Sequence, residues 1–387
     1  CMGSRILFPK TLKRVYHAVE SHGWRRCKPR IDEFDRYYCR HKRLQQAEIK
    51  IDQDRMDHAT SKIRQVLSTF KCESIRLLQS YWRLQKPTSP GYSRVGLEDV
   101  RRYSTKEDMP YREVMLDVKR YKKKGFIDSP SGIAFRSHMS QSEHKARVVY
   151  VYPYAVCSLE GKFAFPLLDQ MKSSSYSCPF GTQHNWLRGG FRFLKSAMAG
   201  NGIPMSVDFS SFDMSTQPYM IDIAFGLVRE CFSLKTEEEG EWDLIVEYFK
   251  NTIVLHGKRY CTVEGGIPSG SVWTHIIGTI ISLLLAYYAI PDLTFVKGFG
   301  DDLVALSDHP DLDDFILRVA PLGYTVSPKK SVVGEAHWLG FNISGSRPLI
   351  LNPIKRWAAF FHPDRPDADM AAFKGRLFGY AMSSLGD

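Results

Sequence analysis

The sequence predicts an α+β protein. Three observations carry that prediction. Two strand-like runs, the β-branched and aromatic residues 147–152 and the short buried stretch 203–208, stand among helical stretches in irregular order. A glycine-rich loop at residues 265–270 feeds a long apolar helix that runs to Ile290. Residues 293–306 read as a hairpin with Gly300-Asp301-Asp302 at its tip. Regular alternation of strand and helix is missing, which excludes a doubly wound parallel sheet.

Taken in order, the first ninety residues read as mostly helical, with polar periodic stretches such as 47–80. Lys86-Pro87-Thr88-Ser89-Pro90-Gly91 breaks the pattern as a linker or exposed loop. A second helical stretch carries Lys119, Arg120, Lys122, Lys123 and Lys124 and closes at Gly125. That cluster suits a polyanion channel or simply a helix C-terminus, where cations oppose the macrodipole. Ser129-Pro130-Ser131-Gly132 reads as a loop, and residues 147–152 as a strand. Residues 203–208 form a short buried strand, 218–231 a helix and 236–240 an acidic surface turn. The apolar run 276–290 is interrupted by Gly278, Thr279 and Ser282 and falls short of the roughly 18–20 residues that span a bilayer. A buried helix is predicted there, and no membrane span.

At 387 residues the chain is long enough for two or three packed units at about 150 residues each. It is 43% hydrophobic and 25% charged, which excludes whole-chain disorder and a coiled rod. The formal charge is +11, and all of it lies in residues 1–86, which hold 20 Lys/Arg against 9 Asp/Glu. A basic N-terminal part on a neutral body points to a polyanion, nucleic acid before an anionic membrane. Eight scattered cysteines without a CxxC pair suggest reduced usage rather than a disulfide scaffold. Cys27, Cys39 and His41 lack the spacing and the fourth ligand of a zinc site. Arg5, Lys10, Lys13 and Arg14 break any early apolar run, so no signal peptide is expected.

The chemistry lies in the carboxylates. Asp208 and Asp213 sit where a strand ends and a turn begins, and Asp301 and Asp302 sit on a tight turn between apolar arms. Adjacent aspartates repel, and a divalent cation with hard oxygen ligands removes that cost. Asp208 and Asp301 presented together would hold two Mg²⁺ or Mn²⁺ ions about 4 Å apart, as in-line phosphoryl transfer requires. Between the acidic sites lies Gly265-Gly266-Ile267-Pro268-Ser269-Gly270-Ser271, which has the first glycine spacing of a P-loop. Ser271 stands where that motif demands lysine, so the nucleotide-triphosphatase reading fails. A loop whose Ser269 hydroxyl and backbone amides touch a nucleotide fits better, with Thr274 one turn into the helix.

The ordered set Asp208-x4-Asp213, Ser269-Gly270-x3-Thr274 and Gly300-Asp301-Asp302 resembles motifs A, B and C of viral RNA-dependent RNA polymerases. The wording Gly-Ile-Pro-Ser-Gly-Ser is similar to partitivirus polymerases first and picobirnavirus polymerases second. Lys145-Ala-Arg147-Val-Val, with Phe163-Ala-Phe-Pro166 after it, resembles motif F, and residues 129–132 resemble motif G. Residues 322–331 resemble motif D, and His337-Trp-Leu-Gly-Phe341 resembles motif E. Family members place Asp or Asn four residues after the motif B threonine and Asn eight after it. Here those positions are Gly278 and Ser282, so weaker reading of the ribose is expected.

The resemblance implies a right-hand polymerase fold with fingers, an RRM-like palm and a truncated thumb. Residues 1–125 would form a basic extension and fingers, 126–200 fingers with motifs G and F, and 201–232 palm with motif A. Residues 233–262 would be a fingers insertion, 263–350 palm with motifs B to E, and 351–387 the start of the thumb. Only 37 residues follow position 350 and the first residue is Cys1, so a fragment is expected.

By the same resemblance, Asp208, Asp301 and Asp302 hold two Mg²⁺ or Mn²⁺ ions. Lys145 and Arg147 grip the triphosphate. Asp213, Ser269, Gly270 and Thr274 contact the nucleotide, and Lys330 protonates pyrophosphate. RNA template, RNA product and nucleoside triphosphates are the implied partners, with a viral capsid protein beside them. The implied setting is the host cytoplasm, inside the virion, and the implied task is copying a double-stranded RNA genome. A reverse transcriptase shares the palm, yet Phe299-Gly300 before the paired aspartates favours an RNA-copying enzyme. A non-catalytic RNA-binding protein explains the basic end and leaves the acidic cluster without purpose.

Overall fold

The computed structural model describes residues 10–30, 32–93, 103–141, 146–200 and 202–383, with side chains from residue 13 onward. The chain opens with α1 (Lys10–Ser21), β1 (Arg25–Cys27), α2 (Glu33–Gln45), α3 (Gln53–Leu67) and α4 (Leu77–Leu84). The helical texture of 47–80 is thus two helices with an extended link. Asp52 starts α3 by accepting the Arg55 N–H at 3.2 Å. After Leu67 the hydroxyls of Ser68 and Thr69 bond back to the carbonyls of Gln65 and Val66, and the Cys72 N–H donates to the Cys231 carbonyl at 2.9 Å. Those bonds draw the chain out of the helix.

Helix α5 (Tyr111–Lys124) ends at Gly125, whose φ of +73° supplies the left-handed cap the sequence predicts. Most of its basic cluster is paired with acids. Arg120 and Lys124 reach Asp128 at 3.0 and 2.8 Å, and Lys122 reaches Glu241 at 2.9 Å. These three cations favour the helix-end reading over a polyanion channel.

Next come β2 (Ser131–Ser140), β3 (Ala146–Val151), α6 (Tyr154–Ser173) and α7 (Gly190–Met198). The expected loop at 129–132 is instead buried at Ser129 and already strand at Ser131 and Gly132. Strands β4 (Ile203–Val207) and β5 (Phe209–Ser210) precede α8 (Phe212–Ser215) and α9 (Pro218–Arg229). The expected acidic turn at 236–240 is the first turn of α10 (Thr236–Lys250). Three glutamates there oppose the positive helix end, and Glu238 accepts the Lys235 N–H at 3.0 Å. Strands β6 (Asn251–His256) and β7 (Arg259–Glu264) follow, pairing antiparallel. They join β1, β2 and β3 in one five-stranded sheet, with β6 parallel to β2.

The remaining elements are α11 (Thr274–Ala289), β8 (Phe295–Phe299), β9 (Asp302–Ser307), α12 (Leu312–Val319), β10 (Thr325–Val326) and β11 (Val332–Val333). After them lie β12 (His337–Trp338), β13 (Phe341–Asn342), β14 (Leu349–Ile350), α13 (Pro353–Phe361) and α14 (Met370–Ser383). A four-stranded antiparallel sheet has the order β11–β4–β9–β8. Its residues alternate between two cores, as a period of two requires. Leu303 and Ala305 face the main core, whereas Val304 joins Leu194, Ala336, Trp338 and Phe341 on the other side. Helix α11 is apolar all round and buried almost throughout, and it packs between this sheet and α3, α9 and α12. Among the described residues no helix is long and apolar enough to cross a membrane.

Candidate active site

One end of the four-stranded sheet gathers the carboxylates. Val207 pairs with Leu303 and Phe299 with Asp302, so Asp208 leaves its strand beside Asp302. Gly300, at φ +63°, makes the two-residue turn that carries Asp301. The backbone of Asp208 is fixed from the β10–β11 link. Its N–H donates to the Ser331 hydroxyl at 3.0 Å, and its carbonyl accepts the Ser327 N–H at 2.8 Å. Lys330, on the same link, donates to the Asp208 carboxylate at 3.0 Å.

Burial raises the Asp301 carboxyl, and the charges of Asp213 and Asp208 push the same way. Asp302 is pushed up to about 6, by burial first and then by Asp301 and Asp208. Such a cluster calls for cations. The donor set is hard oxygen and suits Mg²⁺ or Mn²⁺. Among the described residues, however, no three acidic, histidine or cysteine groups converge as a ready cage for one ion. Asp208 is engaged by Lys330 and Asp213 by Arg147, at 3.0 and 2.5 Å.

Asp213 stands on α8, just after Ser211, a non-glycine residue at φ +60°. That strained conformation is held by Arg40, which donates to the Ser211 hydroxyl at 2.6 Å. Burial raises the Asp213 carboxyl against the pull of Arg147. The Ile267 N–H donates to the Asp213 carbonyl at 2.7 Å, which ties the glycine-rich loop to this acid. The loop then runs along β3. Ser269 donates to the Val148 carbonyl at 3.3 Å, and a Cβ on Gly270 would lie 2.0 Å from the Tyr150 oxygen. Thr274 turns its hydroxyl back to the carbonyls of Pro268 and Ser271, at 2.6 and 2.8 Å.

Asp208, Asp213, Asp301, Asp302, Arg147 and Lys330 therefore meet through ion pairs, register and mutual charge. Ser269, Gly270 and Thr274 lie on the adjoining loop. Lys145 lies outside the described residues. Gly278 faces the Cα of Gly300, with Ile267 and Phe212 beside it. Ser282 is wholly buried, bonds back to the Thr279 carbonyl at 3.0 Å and lies against Gly298 of β8. Its side chain is packed inside the helix–sheet interface, so the idea that position 282 helps read the sugar loses its physical basis.

Several residues escaped the sequence reading. On α2, Gln45 donates to the carbonyls of Met214 and Thr216 at 2.9 and 3.0 Å, and His41 donates to that of Glu264 at 2.8 Å. With Arg40 they bind the turn after Asp208 to the start of the glycine-rich loop. Thr279 accepts the Gly300 N–H at 2.8 Å and so fixes the tip that carries Asp301. Thr279 is five residues after Thr274 and so on a different face of the helix, and no spacing in the sequence marks it. Nothing local marks α2.

Residues 36–358 match the family described as viral RNA-dependent RNA polymerase. The chain is 32% identical over 153 residues to the RNA-directed RNA polymerase of Cryptosporidium parvum virus 1, covering 38% of this chain and 28% of that protein. It is 28% identical over 277 residues to the genome polyprotein of Theiler's murine encephalomyelitis virus (strain GDVII), covering 63% of this chain and 11% of that one. Both relatives are far longer than the segment matched. Among solved structures, the insertion loop deletion mutant of a human picobirnavirus RNA-dependent RNA polymerase superposes with a TM-score of 0.73 at 14% identity. That match covers 97% of this chain and 77% of the other and shows a shared polymerase fold.

Proposed function

The chain belongs to the viral RNA-dependent RNA polymerase family, and on that premise we propose that it synthesises RNA on an RNA template by two-metal nucleotidyl transfer. The observation that supports this most is the register that sets Asp208 beside Asp302, with Asp301 on the turn between the paired strands. Asp208, Asp301 and Asp302 are the proposed metal ligands; bound Mg²⁺ or Mn²⁺ would lower the pKa of the primer 3′-hydroxyl and neutralise the leaving pyrophosphate.

The other residues bind and orient. Arg147 is half exposed on β3, and its guanidinium exchanges Asp213 for the triphosphate oxygens of an incoming nucleotide, a bidentate match. Lys145, two residues earlier, takes the same role. Freed from Arg147, Asp213 faces the sugar, with Ser269, Gly270 and Thr274 on the adjoining loop. As the bond from the 3′-oxygen to the α-phosphorus forms and the α–β bridge breaks, Lys330 gives a proton to the departing pyrophosphate. Residues 1–200 and 233–262 serve as fingers around a palm of 201–232 and 263–350, with the thumb starting at 351. The proposed setting is the host cytoplasm within a virion, beside a capsid protein, copying a double-stranded RNA genome.

Primer extension on an RNA template tests this reading. Asp301→Asn removes a charge and keeps the shape. Several kcal/mol of charge stabilisation go with a metal ligand, so incorporation should fall by about 10³-fold or more. Melting temperature and RNA binding should persist, since RNA is held by basic groups at phosphates. Near-normal incorporation by this variant in Mg²⁺ would reduce Asp301 to a turn residue.

A further inference from the structure

Helix α6 carries a carboxyl group, Glu160, that is wholly buried and points its oxygens at the glycine-rich loop. It accepts the Ser271 hydroxyl at 2.7 Å and the Val272 N–H at 2.8 Å. The Ser271 oxygen in turn accepts the Trp273 N–H at 3.0 Å. One acid thus organises the three residues that precede α11. On the loop's other flank, Ser269 and Gly270 rest on the Val148 and Tyr150 carbonyls of β3. The loop is held from β3 and α6 at its middle, while its first residues bond to Asp213 and Thr216 near the acidic cluster.

A buried carboxyl group is costly unless its oxygens are satisfied. Lys106 is the cation whose charge acts on Glu160, whereas Lys162, two residues on, pairs with Glu241 instead. The charged and titratable groups that face it are Lys106, Tyr152, Cys157 and Tyr248, and the Lys106 ammonium lies over the Tyr154 ring. Packing alone would be met by an apolar side chain at this position. The two donors from the loop are the specific interactions that this acid makes.

We propose that Glu160 is a positioning residue: through Ser271 and Val272 it sets Ser269 and Gly270 in the conformation that receives the nucleotide. The nucleotide part rests on the polymerase reading above; the clamp itself rests on the hydrogen bonds. The loop then follows α6, so a displacement of that helix is passed to Ser269 and Gly270 rather than absorbed between them.

Two measurements on the full chain separate these parts. Glu160→Gln keeps the shape but offers one acceptor oxygen for two donors, and Ser271→Ala removes one of the same bonds from the other side. Hydrogen exchange reports the loop, and primer extension reports the reaction. Glu160→Gln should speed amide exchange across residues 269–273 by 10-fold or more while β4, β8 and β9 keep their protection. The KM for nucleotides should rise by about 10-fold with a smaller change in kcat, a split that general destabilisation would not give. Ser271→Ala should move both readouts the same way and less, and should add little to Glu160→Gln. Should Glu160→Gln fail to fold, Ser271→Ala carries the same two tests. Unchanged exchange in the loop, additive effects, or a loosened loop with unaltered KM would each overturn the proposal. A loop that loosens in Glu160→Gln, in a protein whose wild-type form incorporates nothing in Mg²⁺ or Mn²⁺, would overturn the polymerase reading and leave the clamp standing.

Discussion

Thr279 joins the apolar helix to the acidic turn through one hydroxyl. It donates to the His275 carbonyl at 2.7 Å and accepts the Gly300 N–H at 2.8 Å. Thr279→Val keeps the shape and leaves that amide without its acceptor, at a cost of about 1 kcal/mol for a part-buried group. Asp301 follows Gly300 directly, so incorporation should fall by about 10-fold in the valine variant and stay near normal in Thr279→Ser. Thermal melting and primer extension check the two effects together. Glu160 gives a second prediction at this scale. Burial pushes its carboxyl from an ordinary 4.5 up to about 8. Between those values the folded chain holds a proton that the unfolded chain releases, so stability falls as pH rises through the window. Glu160→Gln should remove that slope, so the stability it loses with the second acceptor narrows relative to wild type between pH 5 and pH 8. Denaturant titrations at pH 5, 7 and 8 would show it, and a slope unchanged in the variant would assign the effect elsewhere.

At the scale of elements, the glycine-rich loop is built where side chains do not fit. Gly265 and Gly266 take φ of +70° and +76°, and a Cβ on Gly266 would lie 2.9 Å from the His41 ring and 3.0 Å from the Asp213 carbonyl. At Gly270 the obstacle is the backbone of β3, which cannot swing aside as a side chain would. Gly270→Ala must therefore shift the loop by about 1 Å, a displacement that costs on the order of 10²-fold in rate when it misplaces a reacting group. The expected result is that kcat/KM falls by that factor while far-ultraviolet circular dichroism is unchanged. A fully active alanine variant would mean that the loop can leave β3 without consequence.

Across the whole molecule, the two ends of the described chain meet. Val19 of α1 packs with Met139 of β2 and Ala358 of α13, and Trp24, Trp357 and Phe361 cover that cluster. Arg26 fastens the junction, donating to the His362 carbonyl at 2.5 Å and pairing with Asp364. Removing residues 1–23 uncovers these side chains, a loss on the order of 3 kcal/mol. It should raise hydrogen exchange across α13 while the four-stranded sheet stays protected, because that sheet packs on α11. Loss of protection in β4 and β9 as well would show that the termini support the acidic site directly.

Local signals were enough for part of this architecture. The short buried strand at 203–207, the stop at Gly125, the hairpin around Gly300 and the buried apolar helix after residue 270 each depend on neighbours within a turn or a strand pair. Their physics is short-range, so residue order and spacing determined them. The ordered acidic and glycine motifs likewise identified the family. What lies far apart in the chain was decided by packing. Arg40 binds the Ser211 hydroxyl, and His41 and Gln45 bind backbone carbonyls between Met214 and Glu264, all more than 160 residues away, while Glu160 binds a loop about 110 residues further on. Lys122 and Lys124 at the end of α5 became structural because α10 and Asp128 met them with acids, and Ser282 left the site because β8 packs on it. No spacing rule links such partners; only the closing of helices and sheets around one core selects which distant backbone groups each side chain must satisfy.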